Sequence, residues 1–67
     1  MTIIDNEKLR KTRLERNLKQ KDVALAVGIA ANYYSEIETG KIDPSLETLM
    51  AIVRILELGG VDCLLKK

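Results

Sequence analysis

Gly28 and Gly40 stand one short helix apart, with IAANYYSEIET between them. Each glycine admits the left-handed backbone that commonly ends a helix. The stretch is therefore expected to be a helix from about Ala31 to Thr39, preceded by a tight turn. Tyr34 and Ile37, at i and i+3, face inward on that helix. Ala31, Asn32 and Tyr33 occupy its front edge, where no core demands them, and Glu38 closes its far end.

The flanking segments follow the same pattern. Asp5 or Asn6 can cap a helix from about Glu7 to Arg16, on which Leu9 and Arg13 share a face. Asn17 tolerates the left-handed backbone of a helix end, and Leu18 can tuck back onto the core. A second helix is expected from Gln20 to Val27, with Val23, Ala24 and Val27 as its inward stripe. Ile29 plugs the turn after Gly28. Asp43-Pro44-Ser45 stops a loop and starts a fourth helix, with Pro44 tolerated in its first turn and Ser45 as cap. From Leu46 to Leu58 the apolar positions Leu46, Leu49, Ile52, Val53 and Leu56 form a broad stripe. Gly59-Gly60 breaks the pattern. Met1 to Ile4 and Val61 to Lys67 suit short strands, and a two-stranded ribbon alone is marginal in water. The ends are expected to pair with each other, with a second subunit, or both.

Together these features predict an all-α domain of four to five compact helices with short terminal β-strands. One domain spans 1–67, with its core in 7–58 and a dimerisation strand in 59–67. A 67-residue chain buries only about 60% of its unfolded surface, so help from a partner chain is expected. Apolar residues make up 46% and charged residues 31%, which suits a folded domain rather than a disordered tail. Net charge is only +1, but Lys8, Arg10, Lys11, Arg13, Arg16, Lys19 and Lys21 concentrate a positive face early in the chain. With no histidine and the single Cys63, neither a disulfide nor a zinc site is expected, and no cofactor is implied. Cys63 is read as a small buried hydrophobe. There is no signal-peptide pattern and no long apolar run, so a cytoplasmic protein without a membrane association is expected.

Leu18-Lys-Gln20, Val23-Ala24, Gly28-Ile29, Ser35-Glu-Ile37-Glu38-Thr-Gly40, Pro44-Ser45-Leu46 and Leu49 together resemble the Cro and lambda-repressor-like (XRE-type) helix-turn-helix family. The resemblance covers roughly Leu9 to Leu58. It implies a second helix of the pair that enters the DNA major groove, about 12 Å wide, with its first residues at base edges. Ala31 and Asn32 match base-reading positions. Asn32 can pair with adenine and Ala31 can touch a thymine methyl. Glu36 lies four residues on, where it can accept from cytosine N4. Tyr33 and Ser35 complete the implied base-contacting set. Gln20 matches a phosphate-holding glutamine, flanked by Lys19, Lys21 and Lys41. The resemblance also pairs Glu38 with Arg13 in a structural ion pair.

Some positions depart from the family pattern. Ala30 stands where serine or threonine often caps the third helix, and Tyr34 replaces a more usual aliphatic residue. The chain after Gly59 looks like a strand where many relatives continue into a fifth helix.

The implied function is sequence-specific double-stranded DNA binding by a dimeric transcriptional regulator, a repressor first. Phage-type repressors, restriction-modification controllers and antitoxins share this build, so a toxin is a candidate protein partner beside a palindromic operator. The alternative is a protein-interaction module on the same scaffold, favoured by the near-neutral charge and Ala31. An enzyme is not expected, because Cys63 has no candidate base. The homodimer contact is expected in the C-terminal segment, either by strand pairing of Val61 to Leu65 or by a helical seam of Leu56, Leu58 and Leu64.

Overall fold

The computed structural model describes residues 4–60 and Leu64. It contains four helices, α1 (Asn6–Glu15), α2 (Gln20–Val27), α3 (Ala31–Glu38) and α4 (Leu46–Ile55). Helix α3 packs against α1 and α2, and α4 packs against α2. The core sits between them, built from Leu9 of α1, Val23 and Ala24 of α2, Tyr34 and Ile37 of α3, and Leu49, Ile52 and Val53 of α4. Asp5 caps α1 by accepting from the Lys8 N–H at 3.1 Å. Ser45 caps α4 by accepting from the Thr48 N–H at 3.2 Å.

All four helices end in the same way. Asn17, Gly28, Gly40 and Glu57 take left-handed backbones with φ of 58°, 90°, 86° and 56°. The residue after each one donates its N–H back to a carbonyl five residues earlier. Leu18 reaches Arg13, Ile29 reaches Ala24, Lys41 reaches Glu36 and Leu58 reaches Val53, at 3.2, 3.0, 2.9 and 3.0 Å. This closure satisfies carbonyls that a helix end otherwise leaves orphaned. Leu18, Ile29 and Leu58 then fold against the core.

The end of α4 differs from expectation. The helix stops at Ile55 rather than Leu58, and Glu57 makes the turn before Gly59-Gly60 is reached. Leu46 also differs. As the first helical residue after Ser45 it is 66% exposed, and the buried stripe starts at Leu49. Pro44 is buried but precedes the cap instead of occupying the first turn.

The helical seam expected between subunits is overturned for two of its residues. Leu56 and Leu64 are fully buried inside their own chain, so neither offers surface to a partner. The two ends of the chain meet instead. Ile4 is a fully buried bridge residue, and the Asp5 N–H donates to the Leu64 carbonyl at 2.6 Å. The expected strands at Met1–Thr2–Ile3, at Val61–Asp62–Cys63 and at Leu65–Lys66–Lys67 lie outside the described residues.

A left-handed glutamate costs about 1 kcal/mol that glycine does not. Its ion pair with Arg16, at 3.1 Å, is exposed and offsets little of that. Glu57→Gly is therefore expected to raise stability by ~0.5–1 kcal/mol, a rise of several degrees in Tm for a domain of this size. Gly28→Ala is expected to lower it by about 1 kcal/mol through backbone strain alone, since a methyl there meets nothing within 4 Å. Thermal melts of both variants check this.

Candidate nucleic-acid interface

Helix α3 has two unlike faces. Tyr34, Ile37 and Glu38 are buried. Ala31 and Asn32 are exposed, and Tyr33, Ser35 and Glu36 are half-buried. Asn32 and Glu36, four residues apart, share the outer face. Tyr33 leans partly on the core edge. The Ser35 and Glu36 carbonyls take the Thr39 hydroxyl at 3.0 and 3.3 Å.

The amino ends of the helices divide into two kinds. Helices α1 and α4 begin with an acidic or hydroxyl side chain accepting from the first turn. Helices α2 and α3 begin with Lys19 and Ala30, neither of which makes a capping hydrogen bond. Asp22 accepts from the Lys19 N–H at 2.9 Å, which satisfies the residue before α2 and not the first-turn donors. Helix α3 thus presents a positive dipole end without a side-chain acceptor, whereas α2 carries the Asp22 carboxylate in its first turn. An end like that of α3 attracts anions. Lys19, Lys21 and Lys41 are all exposed, the first two at the start of α2 and the third just past α3.

The far end of α3 is clamped. Arg13 donates from Nε to Glu38 Oε2 and from Nη2 to Glu38 Oε1, both at 2.9 Å. The two side chains are 9% and 2% exposed. A third guanidinium nitrogen, Nη1, donates to the Leu18 carbonyl at 2.7 Å and pins the turn before α2. Gln20 Nε2 donates to Glu38 Oε1 at 3.3 Å. Burial pushes the Glu38 carboxyl up, but the Arg13 hydrogen bond, the nearby Tyr34 hydroxyl, the Gln20 hydrogen bond and the charge of Arg13 outweigh it and hold the group below its ordinary value. The Arg13 guanidinium is held above its ordinary value, chiefly by its hydrogen bond with Glu38.

The Tyr34 hydroxyl lies beside this pair. It is fully buried and makes no hydrogen bond of good geometry. Burial first and the negative charge of Glu38 second push its phenol above the ordinary value.

Two contacts had no counterpart in the sequence reading. Gln20 is half-buried and turns one amide donor inward to Glu38, besides standing at the start of α2. Asn6, read only as a candidate cap, donates its side-chain amide to the Ile37 carbonyl at 2.8 Å across 31 residues of sequence. No local spacing signals a contact at that separation. Among the described residues, no group of three His, Cys, Asp or Glu side chains is placed to hold a metal ion, and no helix is long and apolar enough to cross a membrane.

A carboxylate held below its ordinary value of 4.5 contributes stability that is present above that pH and is lost as pH falls through the lower folded value. The stability of the wild type is expected to fall progressively below about pH 4.5, with part of that loss absent in Glu38→Gln. At neutral pH Glu38→Gln leaves the Arg13 charge buried and unpaired, at a cost of roughly 3–5 kcal/mol. Tyr34→Phe removes an unsatisfied hydroxyl, so its stability is expected within about 0.5 kcal/mol of wild type or above it. Urea titrations across pH measure all three.

The comparisons agree with this geometry. A family profile described as helix-turn-helix matches residues 9–61. The chain is 48% identical over 46 residues to the HTH-type transcriptional regulator DdrOP3 of Deinococcus deserti, covering 69% of this chain and 36% of that protein. It is 37% identical over 60 residues to the ImmF control region 10 kDa protein of Bacillus phage phi105, covering 84% and 67%. It is 37% identical over 49 residues to the cryptic phage CTXphi transcriptional repressor RstR of Vibrio cholerae, covering 73% and 44%. The chain thus spans about a third to two thirds of the length of these relatives. With the matched profile over most of its length and an α2–turn–α3 unit clamped as described, the chain belongs to the Cro and lambda-repressor-like (XRE-type) helix-turn-helix DNA-binding family.

Proposed function

We propose that this chain binds double-stranded DNA sequence-specifically as a dimeric transcriptional regulator, acting in the cytoplasm as a repressor by occupying its operator. One observation carries the reading. The amino end of α3 is uncapped and exposes Ala31 and Asn32, while its carboxyl end is fixed by a buried bidentate ion pair. A helix held in that way can present its first turn to base edges in a defined orientation.

Asn32 pairs with adenine, and Glu36 on the same face accepts from cytosine N4. Ala31 lies against a thymine methyl, with Tyr33 and Ser35 at the edge of the reading surface. Lys19, Lys21, Lys41 and the outer part of Gln20 hold phosphates and set the register. The Arg13–Glu38 pair fixes the angle of the reading helix. A single module of this size reads a short site, so two copies on a palindromic operator, with half-sites about one helical turn apart, supply the specificity. The segment 59–67 joins the copies. The names of two relatives, a transcriptional regulator and a transcriptional repressor, support the regulatory reading. A toxin as protein partner belongs to the same proposal as one route of regulation.

The second reading is a protein-interaction module. Leu25 favours it, since this large apolar side chain on α2 is 83% exposed.

Selection from a random duplex pool is expected to return a palindrome, and binding to it is expected to weaken steeply with salt. Asn32→Ala is expected to cost about 1–3 kcal/mol, roughly 5- to 150-fold, at one base position. Lys19→Ala and Lys21→Ala are expected to weaken all duplexes alike and each to lower the salt slope by ~1. Absence of duplex affinity at low salt favours the interaction module instead.

A further inference from the structure

We infer that Asn6 is a positioning residue for the reading helix, holding the carboxyl end of α3 so that its amino end meets the bases at a fixed angle; the inference rests on the DNA-reading role proposed above. Helix α3 has eight residues and is therefore about 12 Å long. A small rotation at one end of so short a rod displaces the other. Beyond the packing of Tyr34 and Ile37 in the core, the Arg13–Glu38 pair ties the last residue of α3 to the last turns of α1.

Asn6 supplies a second point. It lies seven residues before Arg13, two turns along the same face of α1 and about 10 Å away along its axis. Its amide grips the backbone of Ile37, the residue next to Glu38. The Ile37 carbonyl also accepts from the Gly40 N–H at 3.2 Å. The 2.8 Å bond from Asn6 is the shorter of the two, and it is the one that comes from another helix. Two polar ties spaced along α1 hold that end of α3 more firmly than the ion pair alone.

Local helix chemistry gives no reason for asparagine at this position. Asp5 already caps α1, and an acidic residue suits the first turn better. Asn6 is itself held in place, because the neighbouring Asp5 N–H is bound to the Leu64 carbonyl.

Asn6→Asp tests this in the full chain. It preserves size and suits the start of α1, but it replaces the donor facing Ile37 with an acceptor. Affinities for the duplex selected from a random pool and for its scrambled version are read by fluorescence anisotropy at one salt concentration, then across salt. The expected result is a fall of about tenfold in the ratio of selected to scrambled affinity. Scrambled-duplex affinity is expected to stay within about twofold and the salt slope to be unchanged. Asn6→Ala is expected to follow in the same direction. A folded Asn6→Asp with the wild-type ratio overturns the inference and leaves the DNA-reading role standing. A wild type without sequence preference overturns both, and that is seen before any substitution is made. A measurement on the wild type decides the matter if the variants do not fold. The Asn6 side-chain amide protons are expected to exchange with solvent at least about tenfold more slowly than those of Asn32, and exchange at equal rates overturns the inference.

Discussion

The bidentate pair between Arg13 and Glu38 is the constraint on which the rest of the arrangement depends. It joins α1 to the last residue of α3, and the same guanidinium pins the Leu18 carbonyl ahead of α2. One side chain therefore sets the relative placement of three helices. Burying two charges is costly, and their attraction returns that cost only when geometry and auxiliary hydrogen bonds are good. Here every charged nitrogen of Arg13 has an acceptor, and Glu38 gains a further donor from Gln20. An apolar pair could fill the same space with comparable stability, but it would lack the directionality that fixes an angle.

Around that pair the chain is assembled from short helices ended by one repeated device. Left-handed residues at Asn17, Gly28, Gly40 and Glu57 reverse the chain after two to three turns of helix. Short helices cannot stand alone in water, and their stability comes from packing an apolar face. The packing is economical, with the two ends of the chain contributing Ile4 and Leu64 to the core. The consequence for function is a division of labour within α3. Its inner face and far end are committed to the globule, whereas its near end has neither a cap nor a packing role.

Much of this could be read from the residues themselves. Gly28, Gly40 and Asn17 announce left-handed turns, Ser45 announces a helix start, and the pairs Leu9/Arg13 and Tyr34/Ile37 announce inward faces. These signals are local, because backbone permission and helical spacing act within a few residues. What escaped was of two kinds. Glutamate carries no turn signal, so the reversal at Glu57 was hidden behind the more obvious Gly59-Gly60. Contacts between distant segments leave no local trace, which hid the bonds from Asn6 to Ile37 and from Gln20 to Glu38. The same blindness made Leu56 and Leu64 look available to a partner when each fills the core of its own chain.

The division of labour in α3 is tested most directly by mapping the complex of the chain with its selected duplex by NMR. If the amino end of α3 lies in the major groove, base protons and thymine methyls will show cross-peaks to Ala31 and Asn32, and the α2 amides at Gln20 and Lys21 will shift beside the phosphates. Base-proton cross-peaks confined to α1 or α4, with residues 31–36 unaffected, would contradict it.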